Sequence, residues 1–520
     1  MDLKDKYVLS LDIGTSNMRC FIYDKQTKIK GSKVSIQRSQ CRIKILYPEP
    51  QAVEMDPNEL WEQILGVMKE AIQSASITPD KIASIGISTQ RGTFMLWDKE
   101  TGKPFHNFLV WQDTRGDALS KSWNDSYTMK FLRPASKGLH LLTQRKKFLA
   151  AAVLKFRTQH VSIRLLWLFN QYPDLKGLAR EGKVRFGTLD TWVVWKLSGG
   201  KVYTSEYSCA SSTGIYDPYI LDWSGFFCSV LNIPKEIFPP VIDTYDDYGV
   251  CEKDLFGFKI PIRAVVGDQQ AAMFGQCCFE PGDVKLTLGT GAFLDLNVGN
   301  KPHTSVAGFY PIVGWKIGDK VVHLAEGSSN TAGDAVDWMK GMNFIKEPCD
   351  SDDIANLVDT SEGVYFVPAF NGIQAPINDY LACGGMMGIT QNTKAPHIVR
   401  AVLESLAFRN KQVFDSMVAE TSLKIKRFVC DGGVCANKLI MQLTADLVGQ
   451  IINRQEHSEM SALGAAYLAG LAVGYWKNME ELKSLPKQVK SFTPNEENAK
   501  KYSPIMKNWC RAAKRSLNWY

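Results

Sequence analysis

At 520 residues, 45% hydrophobic and 22% charged, the chain is longer than one core ordinarily organises and has the make-up of a globular protein. Its net charge of +7 is concentrated: from Lys121 to Leu166 ten Lys or Arg face one acid, Asp125, so the remainder sums to about −2 and a general nucleic-acid binder is excluded. Twelve cysteines at no zinc or CxxC spacing, with Cys277 and Cys278 read as buried thiols, and seven histidines without an HExxH exclude a disulfide scaffold and a resident metal cage.

In chain order, MDLKDKYVLSLDIG enters a strand pattern at once, so no secretory signal or transmembrane start is expected and the expected location is cytoplasmic. The stretch LSLDIGTSNMRCFIYD, Leu9 to Asp24, sets an acid, a glycine and two hydroxyls between two apolar runs. Gly14, Thr15, Ser16 and Asn17 can donate to phosphate oxygens there, Asp12 can hold Mg²⁺ directly or through its water shell, and Arg19 adds positive charge. In NELWEQILGVMKEAI, Leu60, Ile64, Met68 and Ile72 recur at helical spacing. The run ASIGIS ends at Gln90 and Arg91, where α/β sheets present ligands. TQRKKFLAAAVLKFR, within the basic stretch, reads as a solvated loop and helix or as a contact for an anionic partner or membrane surface. GLAREGKV, Gly177 to Val184, has Walker-like spacing but ends in valine where a hydroxyl should reach Mg²⁺, so it reads as a helix end and a turn.

The run IRAVVG leads to Asp268 and Gln269. Polar groups at strand ends are commonly caps, but a donor (Arg91), an amide (Gln269) and a proton acceptor (Asp268) are together complementary to a hydroxyl substrate. LTLGTGAFLDLNVG, Leu286 to Gly299, repeats the opening plan, with Leu286, Gly289 and Thr290 matching Leu11, Gly14 and Thr15. One such turn is explained by a plain hairpin; two point to duplicated halves whose turns hold a polyphosphate from both sides. CDGGVCANK, Cys430 to Lys438, is either a third phosphate or nucleotide loop or a simple strand-to-helix connection. The alternation of strand and helix patterns predicts an α/β fold divided near Gly282, drawn as 1–277 and 278–520.

Together these motifs resemble the FGGY carbohydrate kinase family, and within it the glycerol kinases, of which the chain looks like a divergent paralogue. The likeness runs from LDIGTSNMR through TQRGTFMLW, VWQDTR, GDQQAAMFGQ, LTLGTGAF and EGSSNTAGDAVDW to GGMMGITQNTKAPHIVRAVLE, DGGVCANKLIMQ and ALGAAYLAG. It implies two actin-like (ribonuclease H-like) domains of duplicated topology closing over ATP and a small polyol. By that resemblance Asp12 organises Mg²⁺, Thr15, Ser16, Asn17 and Arg19 lie by the phosphates, and Thr290 and Gly333 line the nucleotide. Gly433 and Asn437 lie near the adenosine. Arg91, Asp268 and Gln269 bond substrate hydroxyls, Trp111 and Phe293 face its carbons, and Asp268 is the base.

The chain departs from the glycerol kinase pattern at three places. Gly92 stands where those enzymes have glutamate, Gln159 or His160 where they have a substrate-side tyrosine, and Asp337 at the nucleotide where they have glutamine. The expected function is an ATP-dependent kinase for a polyol hydroxyl, glycerol first; the alternative is a nucleotide-binding regulatory or scaffold protein acting through a partner. A homodimer is a further expectation. An Hsp70-like or actin-like ATPase is disfavoured by the small-molecule pocket pattern TQRGTFMLW…VWQDTR.

Overall fold

Two sheets carry the molecule, each opening on one of the Gly-Thr hairpins. The computed structural model describes residues 3–30, 40–455, 459–486 and 489–520. In the first half, β1 (Tyr7–Ile13), β2 (Asn17–Tyr23), β3 (Gln40–Arg42), β4 (Ile82–Thr89) and β5 (Ile262–Gly267) line up in the order β5-β4-β1-β2-β3. The strand β1 runs antiparallel to β2 and parallel to β4. In the second half, β6 (Asp283–Leu288), β7 (Ala292–Gly299), β8 (Tyr310–Ile317), β9 (Lys320–Ser329), β10 (Arg427–Asp431), β11 (Ile452–Gln455) and β12 (Val489–Phe492) take the order β8-β9-β7-β6-β10-β11-β12. Again the opening strand, β6, is antiparallel to its hairpin partner β7 and parallel to β10 on its other side. Five strands of each sheet thus share one topology, and the chain is a duplication.

The central strands β1 and β4 are buried almost throughout, as expected for parallel strands covered on both faces. One face receives helix α1 (Pro57–Ser74), whose Leu60, Ile64 and Met68 join Leu9, Leu11, Ile85 and Ile87 in one core. Asp56 starts α1 by accepting from the amides of Asn58 and Glu59, with Pro57 in the first turn. Among further helices are α2 (Tyr127–Thr143) and α3 (Lys146–Val153), α4 (Asp268–Gly275) directly after β5, α5 (Gly333–Gly341), α6 (Lys438–Val448) and α7 (Met460–Ala472). The basic stretch is therefore largely helical, and 177–184 is a helix end, a turn at Gly182 and the start of a strand.

Helix α7 belongs to the second half in sequence but packs on the first sheet. Ser10 and Ser84 donate to the Ala462 and Ala469 carbonyls at 2.6 and 3.0 Å, and a Cβ at Gly86 would run into the Ala465 carbonyl. Helix α4 lies against α7 with the same closeness, Gly464 leaving room for the Ala271 carbonyl. In space, then, one helix from beyond the division expected at 277 and 278 packs on the first sheet. Cys277 and Cys278 sit at this junction as buried thiols.

Candidate active site

Both hairpin bends border one interdomain cavity of about 780 Å³. In the first bend the Gly14 amide donates to the Asn17 carbonyl at 3.0 Å, and Thr15 and Ser16 line the cavity. In the second, the Gly289 amide donates to the Gly291 carbonyl at 2.9 Å, and Gly289, Thr290 and Gly291 line it from the opposite half. Gly333 at the head of α5 donates to the Gly289 carbonyl at 2.9 Å, and a Cβ there would strike the second bend. At the end of β1, Asp12 is 7% exposed, its Oδ1 is buried without a hydrogen-bond partner among the described residues, and burial pushes its carboxyl up to about 7 despite Ser88 and Arg19.

The chemical centre lies where strands β4 and β5 end. Arg91 follows β4 and Asp268 follows β5, with Arg91 Nε 3.5 Å from Asp268 Oδ1. A side chain at Gly267 would collide with Arg91 Cδ, so the glycine before Asp268 is what admits the guanidinium. Burial raises the Asp268 carboxyl, against Arg91, the Gln269 amide and Lys285, which hold it down. Trp111 donates from Nε1 to Thr15 Oγ1 at 2.9 Å, tying the acceptor side to the first bend, and Phe293 faces the same cavity from β7.

The charged residues that complete this centre are ones that sequence reasoning missed. Arg91 Nη2 reaches Glu326 of β9 at 2.6 Å. Glu326 is directly opposite Asp295 of β7, and Asp295 directly opposite Lys285 of β6, so three charges form a row across three strands. Lys285 lies 3.1 Å from Asp295, both side chains fully buried, and also donates to Gln269 Oε1 at 2.7 Å and to Thr287 Oγ1 at 2.6 Å. Thr287 in turn donates to Asp431 at the end of β10. Burial pushes the Asp295 carboxyl up, against the pull of Lys285. The only signal in the sequence was a lone lysine, aspartate and glutamate inside apolar strand runs.

Models of the FGGY family of carbohydrate kinases match the chain over residues 7–275 (N-terminal domain) and 284–473 (C-terminal domain). The chain belongs to the FGGY family of carbohydrate kinases. It is 49% identical to glycerol kinase 5 of Danio rerio, over 99% of this chain and 98% of that one, and 40% identical to glycerol kinase 2 of Thermotoga maritima, over 99% of each. Among solved structures it is similar to Plasmodium falciparum glycerol kinase with ADP, at 30% identity, a TM-score of 0.86 and 98% coverage of both chains. The protein is thus an ATP-dependent phosphotransferase acting on a small carbohydrate or polyol.

The other expected residues of this kinase fall in three places. Arg19 pairs with Glu459 before α7, at 2.6 Å, and does not border the cavity. Gly433 and Asn437 lie in the loop from β10 to α6, where Asn437 caps α6 by accepting from the Ile440 amide. That loop sits against the end of β6, since a Cβ at Gly432 would strike the Leu288 carbonyl, which brings it beside the second bend. Asp337, one turn beyond Gly333 on α5, is exposed. Of the departures, Gly92 has a φ of +71°, and its carbonyl accepts from the buried Arg164 at 2.6 Å. Gln159 and His160 both line the cavity, and so does Arg157, which sequence reasoning passed over.

Proposed function

We propose that this kinase transfers the γ-phosphoryl group of ATP to a primary hydroxyl of a small polyol, with glycerol the first acceptor to assay and the cytosol its setting. The carrying observation is that Thr15 and Thr290, from opposite halves, share one cavity with the Arg91–Asp268 pair. The strand orders of the two sheets support the reading of both halves as actin-like, ribonuclease H-like domains. Its relatives' names, glycerol kinase in each case, support the acceptor.

The residues fit Mg²⁺. Asp12 offers a buried, unpartnered carboxylate oxygen at the foot of the first bend, the chemistry a hard cation or its water shell takes. When bound with ATP, Mg²⁺ neutralises charge on the phosphate oxygens. The chain's own part is then alignment and charge. Backbone amides and hydroxyls of the two bends hold phosphate oxygens, and Arg91, fixed by Glu326, orients the acceptor hydroxyl toward Asp268. The acceptor oxygen forms its bond to the γ-phosphorus as the bond to the β–γ bridging oxygen breaks. Asp268 takes the hydroxyl proton and ADP leaves. In a loose transition state this proton moves late, so a carboxylate base suffices. A coupled ADP-release assay over glycerol and other polyols tests the reading. D268N should lower kcat by about 10²- to 10⁴-fold while ADP still binds; an unchanged kcat would refute the assignment.

A second reading concerns the surface. The helices α2 and α3 leave Tyr127 (91%), Phe131 (77%) and Leu142 (84%) exposed beside Lys130, Lys137, Arg145 and Lys146. Among the described residues no helix is long and apolar enough to cross a membrane. Exposed aromatic and leucine side chains set among cations are suited to an anionic partner or lipid surface, to which the kinase would attach peripherally.

A further inference from the structure

The cavity that the two bends share with the Arg91–Asp268 pair is lined by more cations than anions, Arg91, Lys155 and Arg157 against Asp268 and Glu326. Arg91 is engaged by both acids, at 3.5 and 2.6 Å. Arg157 has no ion pair with any described carboxylate. Its guanidinium lies between two rings, 4.9 Å from the Tyr310 centroid and 5.4 Å from that of Tyr380, and Nη2 donates to Asn378 Oδ1 at 3.0 Å. A guanidinium carries five N–H donors, and Asn378 and the Tyr310 hydroxyl take up only some of them.

The position of Arg157 relative to the chemical centre follows from the sheet. Tyr310 on β8 is the direct cross-strand partner of Glu326 on β9, and Glu326 holds Arg91 beside Asp268. The contacts therefore run Asp268, Arg91, Glu326, Tyr310, Arg157, all of them lining the one cavity and crossing it between Arg91 and Glu326, with Arg157 at the end of the series away from Asp268. His160, packed edge-on to Tyr310 at 5.8 Å, adds no charge, because burial together with Arg157 and Arg164 pushes its imidazole down to about 3. Gly92, also in the cavity lining, has no side chain, so position 92 adds no carboxylate to set against these cations.

We infer that the acceptor of this kinase is an anionic polyol, carrying a carboxylate or phosphate at the end remote from the hydroxyl that is phosphorylated, and that Arg157, held in place by Asn378, binds that group together with the Tyr310 hydroxyl. The inference rests on the kinase reading and narrows its substrate class. The transferred phosphoryl group, the base and the leaving ADP are unchanged. The anion fills the N–H donors left on Arg157 and supplies the missing negative charge.

The test uses the full chain with MgATP in the ADP-release assay on matched acceptors: glycerol against glycerate, erythritol against erythronate, and glycerol 1-phosphate to separate a phosphate from a carboxylate preference. The expected kcat/KM is about tenfold or more higher for an anionic acceptor than for its neutral match, as a charge-assisted bond confers. Arg157→Ala should lower that ratio by about tenfold, and Arg157→Lys should keep part of it. Asn378→Asp, which places a competing carboxylate at the guanidinium, should also lower it and serves if Arg157→Ala does not fold. A role of Arg157 as a mere strut between the halves would change both acceptors alike and leave the ratio fixed. A wild-type ratio at or below one, or a ratio unmoved by both Arg157→Ala and Asn378→Asp, overturns the inference. Turnover of neutral polyols alone does so while leaving the kinase reading intact; no turnover of either class by protein that binds ADP removes both.

Discussion

Asp12 should be a residue that the ligand-free fold would be better without. Its carboxyl is buried at the end of β1 with Oδ1 unpartnered, and burial raises it from 3.8 to about 7. Between roughly pH 4 and 7 the folded state therefore holds a proton that the unfolded chain has already released. Stability from this group falls as pH rises through that window and is flat above it. By linkage the ionised carboxylate costs the fold on the order of 4 kcal/mol at pH 8. The variant D12N keeps the shape without the charge, but its amide is buried too, so a gain of about 1–3 kcal/mol is expected. At about 1–2 °C per kcal/mol for a protein of this size, that raises the melting temperature of the ligand-free protein by about 1–6 °C. The assay is thermal unfolding of wild type and D12N at pH 8 and pH 5 without nucleotide or Mg²⁺. The gap should shrink by roughly half or more at pH 5, because the wild-type carboxyl is then protonated in the folded state. The same variant should lose Mg²⁺-dependent turnover. A D12N protein that is less stable than wild type at pH 8, or a gap of equal size at both pH values, would refute the reasoning.

The variant E326Q removes the charge that fixes Arg91 and should raise the acceptor KM by about 10- to 100-fold with ADP affinity retained, read by steady-state kinetics and calorimetry. G464A puts a methyl against the Ala271 carbonyl where α4 meets α7 and should cost about 1–3 kcal/mol, seen as a lower urea midpoint. Because the His160 imidazole is pushed down to about 3, H160N should leave the pH profile of kcat without any lost inflection between pH 5.5 and 7.5. The double variant F131E/L142E should abolish co-sedimentation with phosphatidylserine vesicles at unchanged kcat; equal sedimentation of both proteins would remove the surface reading.

Much of the site was legible because its local parts are local in sequence. A hairpin bend keeps its amides, hydroxyls and preceding acid within six residues, so Asp12 to Asn17 could be read as one unit, and its repeat at Gly289 and Thr290 exposed the duplication. Arg91 and Asp268 announced themselves as polar residues ending apolar strand runs. Glu326, Lys285 and Asp295 were illegible for the opposite reason. Each is a single charge inside a buried strand, where pattern alone reads an interruption, and their meaning is a cross-strand alignment of residues up to about forty positions apart. Arg19 shows the same limit from the other side. Its place two residues after the first bend suits a phosphate contact, and its pairing with Glu459, 440 residues later, is invisible to local spacing.

The sequence by itself determined the two α/β halves, the pair of bends and the candidate base, since each follows from residue type and short-range spacing; the carboxylate missing at Gly92 came from the resemblance to glycerol kinases. Only the tertiary structure decided that α7 returns to the first sheet, that Glu326 reaches Arg91 across the cleft, and that Arg157 stands against Tyr310 in the same cavity. Those outcomes depend on which glycines and serines let backbones approach, and on strand register. Both are properties of surfaces that meet only once the chain has folded.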